Sequence, residues 1–423
     1  MGMFGYHRLT TPEARRGFWL LMIATLSIGM AMAIQQSIVT NYFRDELGLQ
    51  GSQFGYITAI REIPGFLLIF VTALFYRLSL PKLTALAFVT LAVGYMFFGL
   101  SVSMWSVAPW VIISSMGYHT IHQTKFALGM SLTTQANSGR ILGAFTALNN
   151  VGALVAMIFV VLIFYFDLVS FRPMFIVAGA IALIGAFAIF GFPNLRDGEQ
   201  DEIVADRPKM VYRKPYRFYY YLNLLDGGRQ QIFFSFGLFV LVDAYGMSVW
   251  EISALLIGVR LIGIVSSTWI GGMIDRHGER SMLGLVNFGY IFALAGYALV
   301  TNVYFAAACY LLYSFIMPLS QMGSATYLRK VAIRDEIAPS LAMGVTLQHA
   351  AAIVVPISAG FILNYVGYQV PFLIACIFAS FTILVTRRLD PANQRSQARI
   401  EEDARRNLVP ATGDGLTAGT ASD

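Results

Sequence analysis

Charge is what this chain has least of. Of its 423 residues only 12% are Asp, Glu, Lys or Arg, where ordinary globular domains carry about a quarter. Hydrophobic residues make up 57%, more than a water-soluble fold of this length can hide, so soluble classes are excluded. Cysteine is almost absent. Cys309 and Cys376 both fall inside apolar stretches, which argues for two small buried hydrophobes and against a disulfide framework. The sequence has no Gly-x-x-x-x-Gly-Lys loop, no His-Glu-x-x-His pair and no serine elbow. Nucleotide hydrolysis, hydrolytic chemistry and a bound cofactor therefore find no support, and the chain reads as a non-enzyme. The alternating segments of about ten residues that mark a membrane barrel strand are missing as well. No small-residue cleavage site precedes the polar stretch Asn41 to Gln50, so the first apolar run, Gly17 to Thr40, reads as a retained span rather than a leader.

What is present is a series of apolar runs of about 20 residues, each long enough to cross a hydrocarbon core as a helix, because lipid supplies no partner for a free backbone group. They predict twelve spans, at 17–40, 54–77, 82–102, 106–132, 139–166, 171–193, 217–242, 249–274, 281–300, 303–328, 339–363 and 369–388. The predicted fold is all-α and integral to the membrane, with six helices in 17–193 and six in 217–388. A cytoplasmic N-terminus (1–16), a charged cytoplasmic linker (194–216) and a disordered cytoplasmic tail (389–423) flank and join the two bundles. With loops assigned alternately, 23 of the 29 Lys and Arg residues fall on the side of the termini, Arg61, Lys125, Arg229 and Arg260 lie within spans, and only Arg44 and Arg172 fall on the other side. The positive-inside rule then puts both termini in the cytoplasm, and it accounts for the net charge of +6 without nucleic acid. The plasma membrane is the expected location.

The halves repeat. Ala59-Ile60-Arg61-Glu62-Ile63-Pro64-Gly65 resembles Gly258-Val259-Arg260-Leu261-Ile262-Gly263, and Tyr76-Arg77 falls on Asp275-Arg276 at the same offset of 199 residues. Leu142-Gly143-Ala144-Phe145 falls near Met343-Gly344-Val345-Thr346. Between the eighth and ninth spans stands Gly271-Gly272-Met273-Ile274-Asp275-Arg276-His277-Gly278-Glu279-Arg280. This resembles the Gly-x-x-x-Asp-Arg-x-Gly-x-Arg loop of the major facilitator superfamily at Gly271, Asp275, Arg276, Gly278 and Arg280. The resemblance implies two pseudo-symmetric six-helix bundles that rock about a central site. It implies gating by Asp275, Arg276, Gly278 and Arg280, with Arg77 in the first half, where Tyr76 replaces the acid. The Gly-Pro-x-x-Gly-Gly stretch of the family's proton-coupled drug exporters is not matched by Leu148-Asn149-Asn150-Val151-Gly152-Ala153-Leu154, which counts against drug efflux. Paired arginines on the second and eighth spans are similar to those of its nitrate and nitrite porters, but the glycine-rich stretches of those porters are absent.

An ionisable residue at mid-membrane costs several kcal/mol, about 2.5 to 3.5 on insertion scales, so each needs a reason. Arg61 lies 16 residues from Arg77, about 24 Å along a helix, and Arg260 stands at the same distance from Arg276. Two arginines at similar depth on opposite halves can clamp an anion. The alternative is that each pairs with Glu62 or Asp226 and only holds helices together. Glu62 follows Arg61 about 100° round the helix, so the two are expected to face different walls, one of them against a neighbouring span. Asp226, Arg229 and Gln230 share one face at i, i+3 and i+4. Either Asp226 and Arg229 pair internally, or Arg229 and Gln230 meet substrate while Asp226 carries a proton. His119, His122 and Gln123 share a face of the fourth span above Lys125, and Gln348 and His349 lie at comparable depth on the eleventh. Histidine suits proton relay, interhelical hydrogen bonding is an equal alternative, and a metal site of His119, His122, His349 and Glu62 is a minor one.

The chain is thus expected to be a monomeric secondary transporter of a small anion. Substrate contacts are Arg61, Arg260, Arg229, Gln230, His119, Gln123 and Gln348, and proton coupling falls to Glu62, Asp226, His122 and His349. The rivals are export of lipophilic or cationic compounds and a non-transporting receptor or scaffold.

Overall fold

The computed structural model describes residues 11–66, 78–132, 138–193, 212–391, 393–395 and 399–401, and among these the chain is helical with no strand. Helix α1 (Pro12–Asn41) runs on into a π turn (Tyr42–Glu46). It is followed by α2 (Gly51–Phe66), α3 (Leu80–Phe98), α4 (Met104–Met130), α5 (Ser138–Tyr165) and α6 (Phe171–Phe190). The second half opens with a 3-10 turn (Lys214–Tyr216) and α7 (Arg217–Asp243). The helical stretch Val249–Leu299 leaves helical geometry only at Gly278, at φ 74° and ψ 159°, which divides it into α8 (249–277) and α9 (279–299). Helices α10 (Val303–Val331), α11 (Arg334–Val366) and α12 (Gln369–Arg387) complete the set. Starts are set locally: Thr11 caps Ala14 N–H ahead of Pro12, and Ser248 with Glu251 forms a reciprocal capping box at α8.

Among the described residues eight helices are long and apolar enough to cross a membrane. The ionisable residues singled out within the spans of the sequence lie on α2, α4, α7 and α8, with His349 on α11. Exposed aromatic side chains stand near helix ends, Trp105 on α4, Tyr304 on α10 and Tyr365 on α11, where an amphipathic ring suits the interface.

Within the first half α1 packs on α5 and α6, and α3 on α4 and α6; within the second, α7 packs on α11 and α12, and 249–299 on α10 and α12. Between halves α2 lies along α11, and α5 along α8. The sequence repeat exchanges these two crossings, as an internal pseudo-two-fold requires. The same axis shows in the ion pair of Arg44 with Asp243, two residues 199 apart that join the far ends of α1 and α7.

Two faces are distinguished. The terminal face carries the start of α1 and α7 and the end of α12; the far face carries the α1–α2 and α7–α8 connections. The far face is closed. Asn41 Nδ2 donates to Met247 O at 2.9 Å, Asn364 Nδ2 to Ser52 Oγ at 2.8 Å, and Phe54 stacks on Phe239 with centroids 4.6 Å apart. Here α2 and α11 approach backbone to backbone, so that a Cβ on Gly55 would stand 2.2 Å from Pro356 O and one on Gly360 2.6 Å from Gly51 O. Toward the terminal face the halves diverge: a Cβ added to Gly143 of α5 or Gly263 of α8 meets nothing within 4 Å. The ties between the halves through Asn41, Arg44, Ser52, Asn364, Arg260 and Glu62 lie at mid-depth or nearer the far face.

The loop signature is more compact than expected. Rather than a loop, the α8–α9 junction is a single residue, Gly278, held at a positive φ that only glycine adopts freely. Arg276 and Arg280 are exposed; Arg77 and the side chain of Asp275 lie outside the described residues. The buried acid at this junction is Glu279, which takes Lys330 Nζ of α10 at 2.6 Å within the second half.

Candidate functional site

Pro64 interrupts α2 one turn beyond Arg61 and removes a backbone donor. Ser115 of α4 hydrogen-bonds the Arg61 carbonyl there. This fixes the stretch from Arg61 to Gly65 against α4, with the His119 imidazole lying where a Cβ on Gly65 would be.

Arg61 and Glu62 do not diverge as their angular offset suggests. The long Arg61 side chain swings back, and its Nε and Nη2 donate to Glu62 Oε1 at 3.2 and 3.1 Å. Glu62 also reaches the neighbouring span as expected, its Oε2 lying 3.7 Å from His349 Nδ1 of α11. The His119 and His349 rings stand 6.1 Å apart. Arg61 is half exposed while Glu62 is only 14% exposed, so the guanidinium is the more accessible of the two charges.

At the corresponding crossing of α8 with α5 the partners differ in charge. Arg260 Nη1 donates to Asn150 Oδ1 at 3.3 Å and Nη2 to Gln36 Oε1 of α1 at 3.5 Å. Both acceptors are neutral, and among the described residues no carboxylate stands within ion-pair distance of Arg260. Tyr118 of α4 lies within electrostatic reach of Arg61, Glu62 and Arg260 alike, which ties the two arginines to one region. Lys125, closer to the terminal face on α4, has an aromatic neighbour in Phe126 at 5.0 Å and no described carboxylate partner. Gln36 and Asn150 were not singled out from the sequence. Gln35-Gln36 inside an otherwise apolar run was the available signal.

The expectation for Asp226, Arg229 and Gln230 divides the other way. Arg229 is 1% exposed, pairs through Nη2 with Asp226 Oδ1 at 3.0 Å, and lies over the Tyr290 ring at 3.4 Å. Asp226 Oδ2 accepts from Ser320 Oγ at 2.6 Å. Gln230 is buried beside them. Of the two alternatives the structure contains the internal pair, buried inside the second half with Gln230 beside it. The rings of Tyr290 and Tyr313 take the place of oxygen acceptors for the rest of the guanidinium. Breaking such a pair by removing one partner leaves an uncompensated buried charge, at a cost of about 3–5 kcal/mol. Arg229→Met is expected to lower the unfolding temperature of the purified protein sharply, and Arg229→Met with Asp226→Asn to recover most of the loss. Equal stability of the single variant and the parent would contradict a structural role.

His122 and Gln123 are exposed on α4, while Gln348 Nε2 donates to Asn223 Oδ1 of α7 at 2.9 Å, a tie within the second half. The histidines do not assemble a metal centre: among the described residues no group of three or more His, Cys, Asp or Glu could hold an ion.

Comparison with known proteins agrees with this architecture. No curated protein sequence matches the chain. Among solved structures it is similar to the nucleoside transporter NupG, at TM-score 0.70 and 15% identity over 88% of this chain and 97% of that one. It is also similar to a bacterial homolog of the human lysosomal transporter Spinster in an inward-facing and occupied conformation, at TM-score 0.73 and 12% identity over 92% and 99%. At such identities the likeness is one of fold. The family described as Major Facilitator Superfamily matches residues 21–338 and, in a second overlapping match, 224–419. With twelve helices among the described residues, in two repeated halves closed together at one face, the chain belongs to the major facilitator superfamily.

Proposed function

We propose that this protein is a secondary active transporter that moves a small anionic solute across the plasma membrane by alternating access, with coupling to protons. The observation that carries the reading is Arg260, a guanidinium between the halves that among the described residues is hydrogen-bonded by the amide oxygens of Gln36 and Asn150 and by no carboxylate. A cation held in low dielectric by neutral groups favours an incoming negative charge, and its planar fork suits carboxylate, phosphate or nitrate oxygens. Lys125 extends the positive character toward the terminal face. The terminal face carries Lys82, Arg213, Lys214, Arg217, Arg276, Arg280, Arg329 and Lys330, the far face Arg44 and Arg172. By the positive-inside rule the terminal face is the cytoplasmic one, and the closed far face then corresponds to an inward-facing state; the protein is proposed to act as a monomer. Export of cations fits less well, because Glu62 and Asp226 are each engaged by a cation. NupG is a nucleoside transporter, but at 15% identity the charge of the site weighs more than the shared fold.

The test is thermal stabilisation of the purified protein across a panel of small anions, neutral solutes and cations. Small anions are expected to stabilise the parent and to lose that effect in Arg260→Ala. Stabilisation by neutral or cationic solutes alone, unchanged by the substitution, would overturn the assignment.

A further inference from the structure

The two crossings that the repeat makes equivalent are unlike in one respect: Arg61 has a carboxylate and Arg260 has none. The carboxylate on Arg61 is supplied by the next residue of the same helix, so occupying or vacating that guanidinium takes no movement of backbone, only rotation of two side chains. Glu62 uses a single oxygen, Oε1, to receive both Nε and Nη2, the fork that a substrate carboxylate would take. Arg61 is also the half-exposed partner, so an incoming anion meets the guanidinium first.

We infer that Glu62 is an internal stand-in for the transported anion: its carboxylate holds Arg61 while the site is empty, and when it takes a proton it yields Arg61 to the incoming anion. This exchange rests on an anion binding at Arg260. The balance is simple. One proton from solution forms one O–H bond on Glu62, the ion pair with Arg61 is replaced by an ion pair between Arg61 and the anion, and the net charge of the site is unchanged. Proton and anion therefore enter together, and neither is favoured without the other. The titratable and charged groups that face Glu62 are Arg61 on its own helix, His349 from α11, and His119 and Tyr118 from α4. From α7, which also touches α2, the charged residues Asp226 and Arg229 are engaged with each other. Because Oε2 of Glu62 faces His349 on the other half, protonation also removes the carboxylate charge that His349 meets across the bundles, which links loading to their movement.

The experiment is a binding titration of the full-length protein in lipid nanodiscs with benzoate, nitrate and methanesulfonate, anions whose charge stays fixed over about pH 5.5 to 8, the range in which a proton-linked site would titrate. In the parent, affinity is expected to weaken by about tenfold per pH unit as pH rises, the slope for one linked proton. Calorimetry in two buffers of different ionisation heat is expected to show that proton taken up. Glu62→Gln, neutral at every pH, is expected to bind with the parent's low-pH affinity, without pH dependence and without proton uptake. Arg61→Ala is expected to keep weaker binding at Arg260 and to lose the proton linkage. Persistence of the parental pH dependence in Glu62→Gln would overturn the inference, as would its loss in His349→Gln or His119→Gln with Glu62 intact. If no anion binds the parent at any pH, the anion reading itself falls, and the stand-in role falls with it.

Discussion

Arg260→Ala is expected to abolish concentrative anion uptake in reconstituted vesicles and to weaken anion binding by about 10- to 150-fold, the equivalent of a charge-assisted contact of about 1.5–3 kcal/mol. The physical ground is that no other described group at that crossing carries charge. Gln36 and Asn150 offer amide oxygens, which accept from the arginine but repel an anion, and once the guanidinium is gone nothing there attracts one. Arg260→Lys is expected to fall between parent and alanine, because a point charge remains while the planar fork is lost. Folding should survive, since the residue is only partly buried. Gln36→Leu is expected to bind anions at least as well as the parent, because a competing acceptor is removed. Unchanged binding in Arg260→Ala would show that the anion sits elsewhere.

A second large effect is expected from the far-face closure. Gly55→Val places branched carbons where Pro356 O already stands 2.2 Å from an ideal Cβ, and Gly360→Val does the same against Gly51 O. Both obstacles are backbone, not the tips of flexible side chains, so α2 and α11 have to part. Separation breaks the ties of Asn364 to Ser52 and of Asn41 to Met247 and biases the molecule toward a state open at the far face. A bias of about 2.7 kcal/mol is a hundredfold change in population, enough to stop a cycle that must visit both states. Transport is expected to fall by at least about tenfold on that argument. The distance between spin labels at Glu46 and Tyr365, both exposed near the far face, should lengthen. A variant with parental transport and parental label distance would mean that the glycine contact is not the closure.

Much of this was readable from the chain. The spans could be counted because hydrocarbon imposes a length on every apolar run, and the twelve helices fall where those runs lie. The repeat offset of 199 residues reappears in the structure as the Arg44–Asp243 pair. Depth was legible too: fixed rise per residue places Arg61 and Arg260 at similar depth, and His119 and His349 lie beside Glu62 where α2 crosses α4 and α11. Pairing was not legible. The angle between successive Cβ atoms separates Arg61 from Glu62, but a side chain as long as arginine's spans that angle. The i, i+3 spacing of Asp226 and Arg229 allowed an internal pair without revealing Tyr290 and Tyr313, which arrive from α9 and α10. Gln36 and Asn150 were passed over because neutral amides barely disturb hydropathy, although they are the groups that hold Arg260. At the loop signature the motif drew notice to Asp275, whereas the acid the structure describes in a buried pair is Glu279 with Lys330.

The most direct test of the central claim uses vesicles containing the purified protein and a luminal pH dye, with a stabilising anion added outside and no other gradient imposed. The account expects the lumen to acidify as the anion enters, with parallel uptake of label, and both signals to vanish in Arg260→Ala. Anion binding without movement of anion or proton, or uptake that persists in Arg260→Ala, would contradict it.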